Sequence, residues 1–98
     1  MISKIYFSWD SNKARANLIK HQISFDEAKT VFEDENARLI LDPDHSEEEE
    51  RFILLGLSVN AKILTVVHCY RYDELNIRII SARKSTKMEQ EQYKEFLL

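Results

Sequence analysis

The chain has 98 residues, 44% hydrophobic and 32% charged, and its 14 basic side chains against 17 acidic ones leave a net charge of −3. That length fits a single domain over residues 1–98, with no room for a second core. A negative balance excludes indiscriminate nucleic-acid binding by the whole surface, and apolar runs of at most four residues exclude a membrane-spanning helix. The lone cysteine, Cys69, excludes an intramolecular disulfide and suits a reducing cytoplasm. No secretory signal is expected, because "MISKIYFSWD" carries Lys4 and runs directly into a strand pattern.

In chain order, "KIYFSW" (4–9) reads as a short aromatic strand stopped by Asp10. Asp10 or Ser11 can cap a helix "SNKARANLIKH" ending near His21, with Ala14, Leu18 and His21 at helical spacing. A second helix starts at Ser24, where Glu27 completes a capping box, and Phe25, Ala28, Val31 and Phe32 form an apolar stripe aimed at a sheet. From Ala37 the pattern turns to strands: "ARLILD", "RFILLGLS", "KILTVVHCYRY" and "IRIISAR". They are joined by the loop 42–50, a "VNAK" hairpin link and a "DELN" turn. A last helix begins at Thr86, whose hydroxyl pairs with Glu89 in another capping box. The order β-α-α-β-β-β-β-α predicts an α+β fold: an antiparallel sheet with two N-terminal helices and a C-terminal helix, strands pairing in sequence order.

Charge is segregated along the chain. Residues 42–50, "DPDHSEEEE", hold six acids and no base, so the rest of the chain carries +3. Residues 77–87, "IRIISARKSTK", hold Arg78, Arg83, Lys84 and Lys87 with no acid. There Arg83 and Lys84 meet the N-terminus of the last helix, and Ser81, Ser85 and Thr86 add hydroxyls, a combination suited to phosphate. The plain alternative is a solvated strand end paired with the glutamates at 47–50. Arg51 opens one strand and Arg71 ends the next, so an antiparallel hairpin sets them at a common edge. The returning strand then brings Arg78, rather than Arg83, toward Arg71.

Among the histidines, His21 sits beside Lys20 at a helix end, as a general acid or base or as a C-terminal cation. His45 lies among carboxylates that favour its charged form, and His68, mid-strand among valines, reads as core. Asp42, Asp44 and His45 lack the glycine of a calcium loop and any paired-histidine spacing, so no metal site is expected. One glycine leaves no glycine-rich phosphate loop, and no cofactor is expected. Cys69 reads as an inert buried thiol.

The stretches "FSWDSNKARANLIKHQISFDEAKTVFED", "DHSEEEERFILLG" and "RIISARKSTKMEQEQY" resemble the BrnT toxins of type II toxin–antitoxin systems. The resemblance runs from about residue 5 to 94 and rests on Phe7, Trp9, Asp10, Lys13, Asn17, Lys20, His21, Phe25, Glu27, Ala28, Glu50, Arg51, Gly56, Glu89 and Tyr93. It implies a RelE-like fold and a cytoplasmic endoribonuclease that cuts RNA and arrests translation. It also implies a BrnA-type antitoxin, a DNA-binding partner that covers the toxin and represses the shared operon. The family usually has glycine after the histidine, where this chain has Gln22.

Metal-independent cleavage of this kind uses the RNA 2′-hydroxyl as nucleophile and leaves a 2′,3′-cyclic phosphate. Arg51 and Arg83 are the candidates to hold the phosphate, helped by Arg71 and Arg78. Glu50 or His21 is the candidate acid or base, and Lys13, Lys20, Lys84 and Lys87 would guide the RNA backbone with Arg78. The rival reading is a non-catalytic module that docks its antitoxin through the same arginines. A third, a metal-dependent hydrolase built on the acidic loop, predicts loss of activity with a chelator.

Overall fold

The structure is a computed structural model and describes residues 4–43, 50–95 and 97. Residues 44–49, with His45 and most of the acidic run, lie outside the described residues.

The aromatic stretch forms β1 (Tyr6–Ser8). Asp10 then caps α1 (Ser11–His21), its carboxylate accepting the N–H groups of Asn12 at 2.8 Å and Lys13 at 3.2 Å. The helix ends at Gln22, held left-handed at φ 61°, whose N–H returns to the Leu18 carbonyl at 2.8 Å. Ser24 caps α2 (Phe25–Thr30) by accepting the Glu27 N–H at 3.0 Å. Only this half of the expected capping box forms, because the Glu27 carboxylate instead accepts the Ser58 hydroxyl at 2.7 Å. A single 3₁₀ turn, Val31–Glu33, extends the stripe, burying Phe25, Ala28 and Val31 and part of Phe32.

Strands β2 (Arg38–Leu41), β3 (Phe52–Leu57), β4 (Ile63–Arg71) and β5 (Asp73–Lys84) follow, and α3 (Lys87–Glu95) closes the chain. The five strands lie in the order β1-β5-β4-β3-β2. Strands β2 to β5 pair antiparallel in sequence order as expected, but β1 pairs parallel with β5, so the sheet is mixed. Two helices separate β1 from β2, a connection long enough to cross the sheet, and the rule that short links join neighbours does not bind them.

The expected "DELN" turn is also corrected. The chain reverses one residue earlier, at Tyr72 with φ 68°, and Arg71 already pairs with Asp73. Asp73 still makes turn-type bonds, accepting from the Leu75 N–H at 2.9 Å and from Asn76 Nδ2 at 2.8 Å. Positive φ is what the short reversal requires, and a tyrosine supplies it.

One face of the sheet carries Leu54, Leu64, Val66, Ile77, Ile79 and Ala82 against Ile23, Phe25, Ala28 and Val31. His68 joins this core as expected. It is 0% exposed, contacts the rings of Phe32, Phe52 and Tyr70, and has its pKa lowered to about 4 by burial. Cys69 is buried as well. Gly56 lies so close to the 3₁₀ turn that a Cβ there would stand 2.6 Å from Val31 Cγ1.

Two features of β5 position the site. Val67 pairs with Ser81 and His68 with Ile79, which leaves Ile80 as an unpaired bulge residue. Arg78 pairs with Cys69 and Arg83 with Thr65, so both arginines face away from the core. Beyond Ser8 no strand among the described residues pairs with the outer edge of β5, and Asn17 of α1 takes that place. Its amide accepts the Ala82 N–H at 3.1 Å and donates to the carbonyls of Ala82 at 2.8 Å and Ile23 at 2.9 Å. Among the described residues no helix is long and apolar enough to cross a membrane.

Candidate active site

The face opposite the core carries the basic residues. Phe52 pairs with His68 and Cys69 with Arg78, so the same register sets Arg51 across from Cys69. Arg51 and Arg78 therefore flank β4, their Cα atoms about 10 Å apart at ordinary strand spacing. Arg71 lies two residues along β4, and Lys13 comes from the first turn of α1. A cleft of about 100 Å³ is lined by Asp10, Lys13, Arg51, Arg71, Arg78, Ile79 and Ile80. Among the described residues that line it are four cations and one carboxylate. Asp10 is itself held below its usual carboxylate range, first by the Lys13 and Asn12 N–H groups and then by the charges of Lys13 and Arg78. Its lone pairs serve the helix cap, which makes it a weak base.

Arg51 has a further property. Its Nε is buried and makes no hydrogen bond among the described residues. A buried guanidinium N–H without a partner is costly, and an anion entering the cleft is the species that would satisfy it. Glu50, exposed, immediately precedes it. Arg71 and Arg78 also line a second, larger cleft of about 510 Å³ with Tyr6, Phe7, Ser8, Tyr72 and Asn76.

Arg83 belongs to a different cluster. It lies on the same face but four β4 residues from Arg78's partner, about 14 Å along the strand. Its guanidinium binds Glu89 through both ends, Nη1 to Oε1 at 2.7 Å and Nη2 to Oε2 at 3.0 Å. The same carboxylate accepts the Thr86 N–H at 2.8 Å and the Thr65 hydroxyl at 3.1 Å, while Glu89 N–H donates to Thr86 Oγ1 at 3.2 Å. At the start of the last helix the group that meets Arg83 and the Thr86 N–H is the carboxylate of Glu89. The Arg83 pair, with the Thr86 N–H and Thr65 hydroxyl, brings the Glu89 pKa down to about 2. Lys84 and Lys87 stay exposed at this end, Lys84 lining a cleft of about 260 Å³ with Lys62 and Gln90.

His21 and Lys20 are likewise remote from the arginines. They end α1, and eight residues of helix put His21 about 12 Å from Lys13. The structure therefore brings together Lys13, Arg51, Arg71 and Arg78, and leaves His21, Lys20, Arg83, Lys84 and Lys87 elsewhere, while Glu50 is exposed next to Arg51 in the chain and does not line the cleft.

A sequence model of the family described as "Ribonuclease toxin, BrnT, of type II toxin-antitoxin system" matches residues 9–89. The chain belongs to the BrnT family. The fold agrees: a crystal structure of the Brucella abortus ribonuclease toxin BrnT superposes with a TM-score of 0.59 at 20% identity, covering 88% of this chain and 100% of that one. No curated protein sequence matches the chain significantly. Membership in this BrnT family implies an RNA substrate and an antitoxin partner.

Sequence reasoning missed the part of this BrnT cleft built by Tyr6, Ser8, Tyr72 and Asn76. Tyr6 pairs with Asn76 and Ser8 with Arg78 only because β1 runs parallel to β5, and no local pattern records that pairing. The positive φ of Tyr72 is equally silent in the sequence, since tyrosine is not a residue that marks a turn.

Proposed function

We propose that this BrnT protein is a metal-independent endoribonuclease that cuts RNA in the cleft of Lys13, Arg51, Arg71 and Arg78 and so inhibits translation in the cytoplasm. Its antitoxin is a DNA-binding BrnA-type protein that neutralises it. The observation that carries this reading is the buried Nε of Arg51, without a hydrogen-bond partner among the described residues, in a cleft whose described lining has four cations and one already engaged carboxylate. A bridging phosphate fits that demand, because planar guanidinium groups grip phosphate oxygens through paired hydrogen bonds and stay charged at any working pH.

In this reading the 2′-oxygen forms a bond to the adjacent phosphorus while the bond to the 5′-oxygen breaks. Glu50 is assigned as the base that accepts the 2′-hydroxyl proton, and a water molecule donates a proton to the departing 5′-oxygen. Arg51, Arg71 and Arg78 stabilise the charge that builds on the non-bridging oxygens. The products are a 2′,3′-cyclic phosphate and a 5′-hydroxyl. The RNA supplies its own nucleophile, so the protein needs to supply alignment, proton transfer and charge stabilisation.

The test is cleavage of RNA by the purified protein in EDTA, with end-group analysis and with variants checked for folding by circular dichroism. Arg51→Ala and Arg78→Ala are each expected to slow cleavage by about 10²-fold or more, the usual effect of removing one group that stabilises transition-state charge. Arg83→Ala, which breaks the pair with Glu89, is expected to lower stability more than rate per folded molecule. Loss of cleavage in EDTA, or ends other than cyclic phosphate, would overturn the mechanism.

A further inference from the structure

The larger cleft beside the arginines contains a feature that folding does not explain. Tyr72 is 100% exposed, so its ring gains nothing from burial, and it is held at φ 68°. A bulky side chain in the left-handed region is strained, and glycine or asparagine would meet the turn at less cost. Here an aromatic ring is presented to solvent at an energetic loss. Across the cleft Tyr6 is 55% exposed, and Lys4 Nζ lies 5.5 Å from its ring centroid.

Between the two tyrosines the cleft holds about 510 Å³ and is lined by Arg71 and Arg78, the same side chains that line the arginine cleft. That volume falls within the usual range of small-ligand sites, roughly 300–1,000 Å³. Phosphate site and aromatic site are therefore contiguous and share two arginines. A basic groove with aromatic rings at its edge is the arrangement that holds unpaired nucleotides, because every base offers a face for stacking. A duplex cannot use it, since its bases are already stacked on one another.

We propose that Tyr72, with Tyr6 opposite, stacks an unpaired base next to the phosphate held by the arginines, so that the protein selects single-stranded RNA. This rests on the arginine cleft being the RNA phosphate site, and the experiment separates the two. The probe is a short 2′-O-methyl RNA, which cannot be cleaved by 2′-oxygen attack, bound either as a single strand or annealed to its complement. The native protein is expected to favour the single strand. Tyr72→Gly, which removes the ring and relieves the backbone, should weaken single-strand binding by about 30-fold, the middle of the range for loss of one stacked base. Duplex binding should be unchanged and thermal stability equal or higher, while Tyr72→Phe keeps the preference. Arg51→Ala should weaken both forms alike. No preference in the native protein, or a preference that survives in Tyr72→Gly, overturns the stacking site. Unchanged binding of both forms by Arg51→Ala overturns the phosphate site instead.

Discussion

Replacing Asn17 by alanine tests how far one side chain can stand in for a strand. The Asn17 amide meets the N–H and carbonyl of Ala82 and the carbonyl of Ile23 at 2.8 to 3.1 Å, in a site where Asn17 is only 7% exposed. Alanine leaves three backbone groups without partners. Each costs roughly 1–3 kcal/mol when buried, and some water entry into the space left behind puts the total at about 3–5 kcal/mol. That is a large part of the roughly 5–15 kcal/mol that holds a domain of this size. Urea unfolding followed by circular dichroism should show a lower midpoint at unchanged slope, and hydrogen exchange should show the Ala82 amide losing protection. Asn17→Asp sharpens the test. Its carboxylate keeps the Ala82 N–H but faces two carbonyl oxygens, which raises its folded pKa. The added penalty is absent below the unfolded value of about 3.9 and grows as pH rises toward the folded one. A loss under about 1 kcal/mol in Asn17→Ala, with Ala82 still protected, would refute the reasoning.

Gln22→Gly should raise stability by about 1 kcal/mol, because glycine enters the left-handed region without the cost borne by other residues; a thermal melt reads it directly. Gly56→Ala should destabilise by roughly 1–3 kcal/mol through overpacking, since its Cβ would stand 2.6 Å from Val31 Cγ1 and 3.0 Å from Ala37 Cβ. Val31→Ala in the same chain should recover part of that loss. His68 is buried neutral with its pKa lowered from 6.5 to about 4, so the unfolded chain takes up a proton first as pH falls. Stability should therefore decline from pH 6.5 to about 4 by roughly 3 kcal/mol, and His68→Leu should remove that share of the slope in urea titrations across pH.

Local chemistry was readable where one residue fixes one bond. Asp10, Ser24 and Thr86 cap their helices as the spacing predicts, and the α2 stripe and His68 are buried as read. The hairpin argument also held for the geometry, since Arg51, Arg71 and Arg78 line one cleft. What the sequence could not carry was competition for the same group. Glu89 was visible as a capping residue, but that it also takes both ends of the Arg83 guanidinium depends on how the last helix lies against β4 and β5. The parallel pairing of β1 was hidden for a similar reason, since it joins segments at opposite ends of the chain and leaves no periodic trace.

The unpaired Ile80 gives β5 something like a reading frame. Side chains along a strand alternate with a period of two, and residues five apart normally point to opposite faces. Arg78 and Arg83 are five apart yet share a face, because the strand skips one count between them. Substitutions in β5 act on one side chain at a time. A deletion at residue 80 would remove the extra count and leave a regular strand, in which Ser81 still opposes Val67, Ala82 still faces the core and Arg83 still faces away from it. Loss of the one unpaired residue is thus the change in length this strand is best able to absorb.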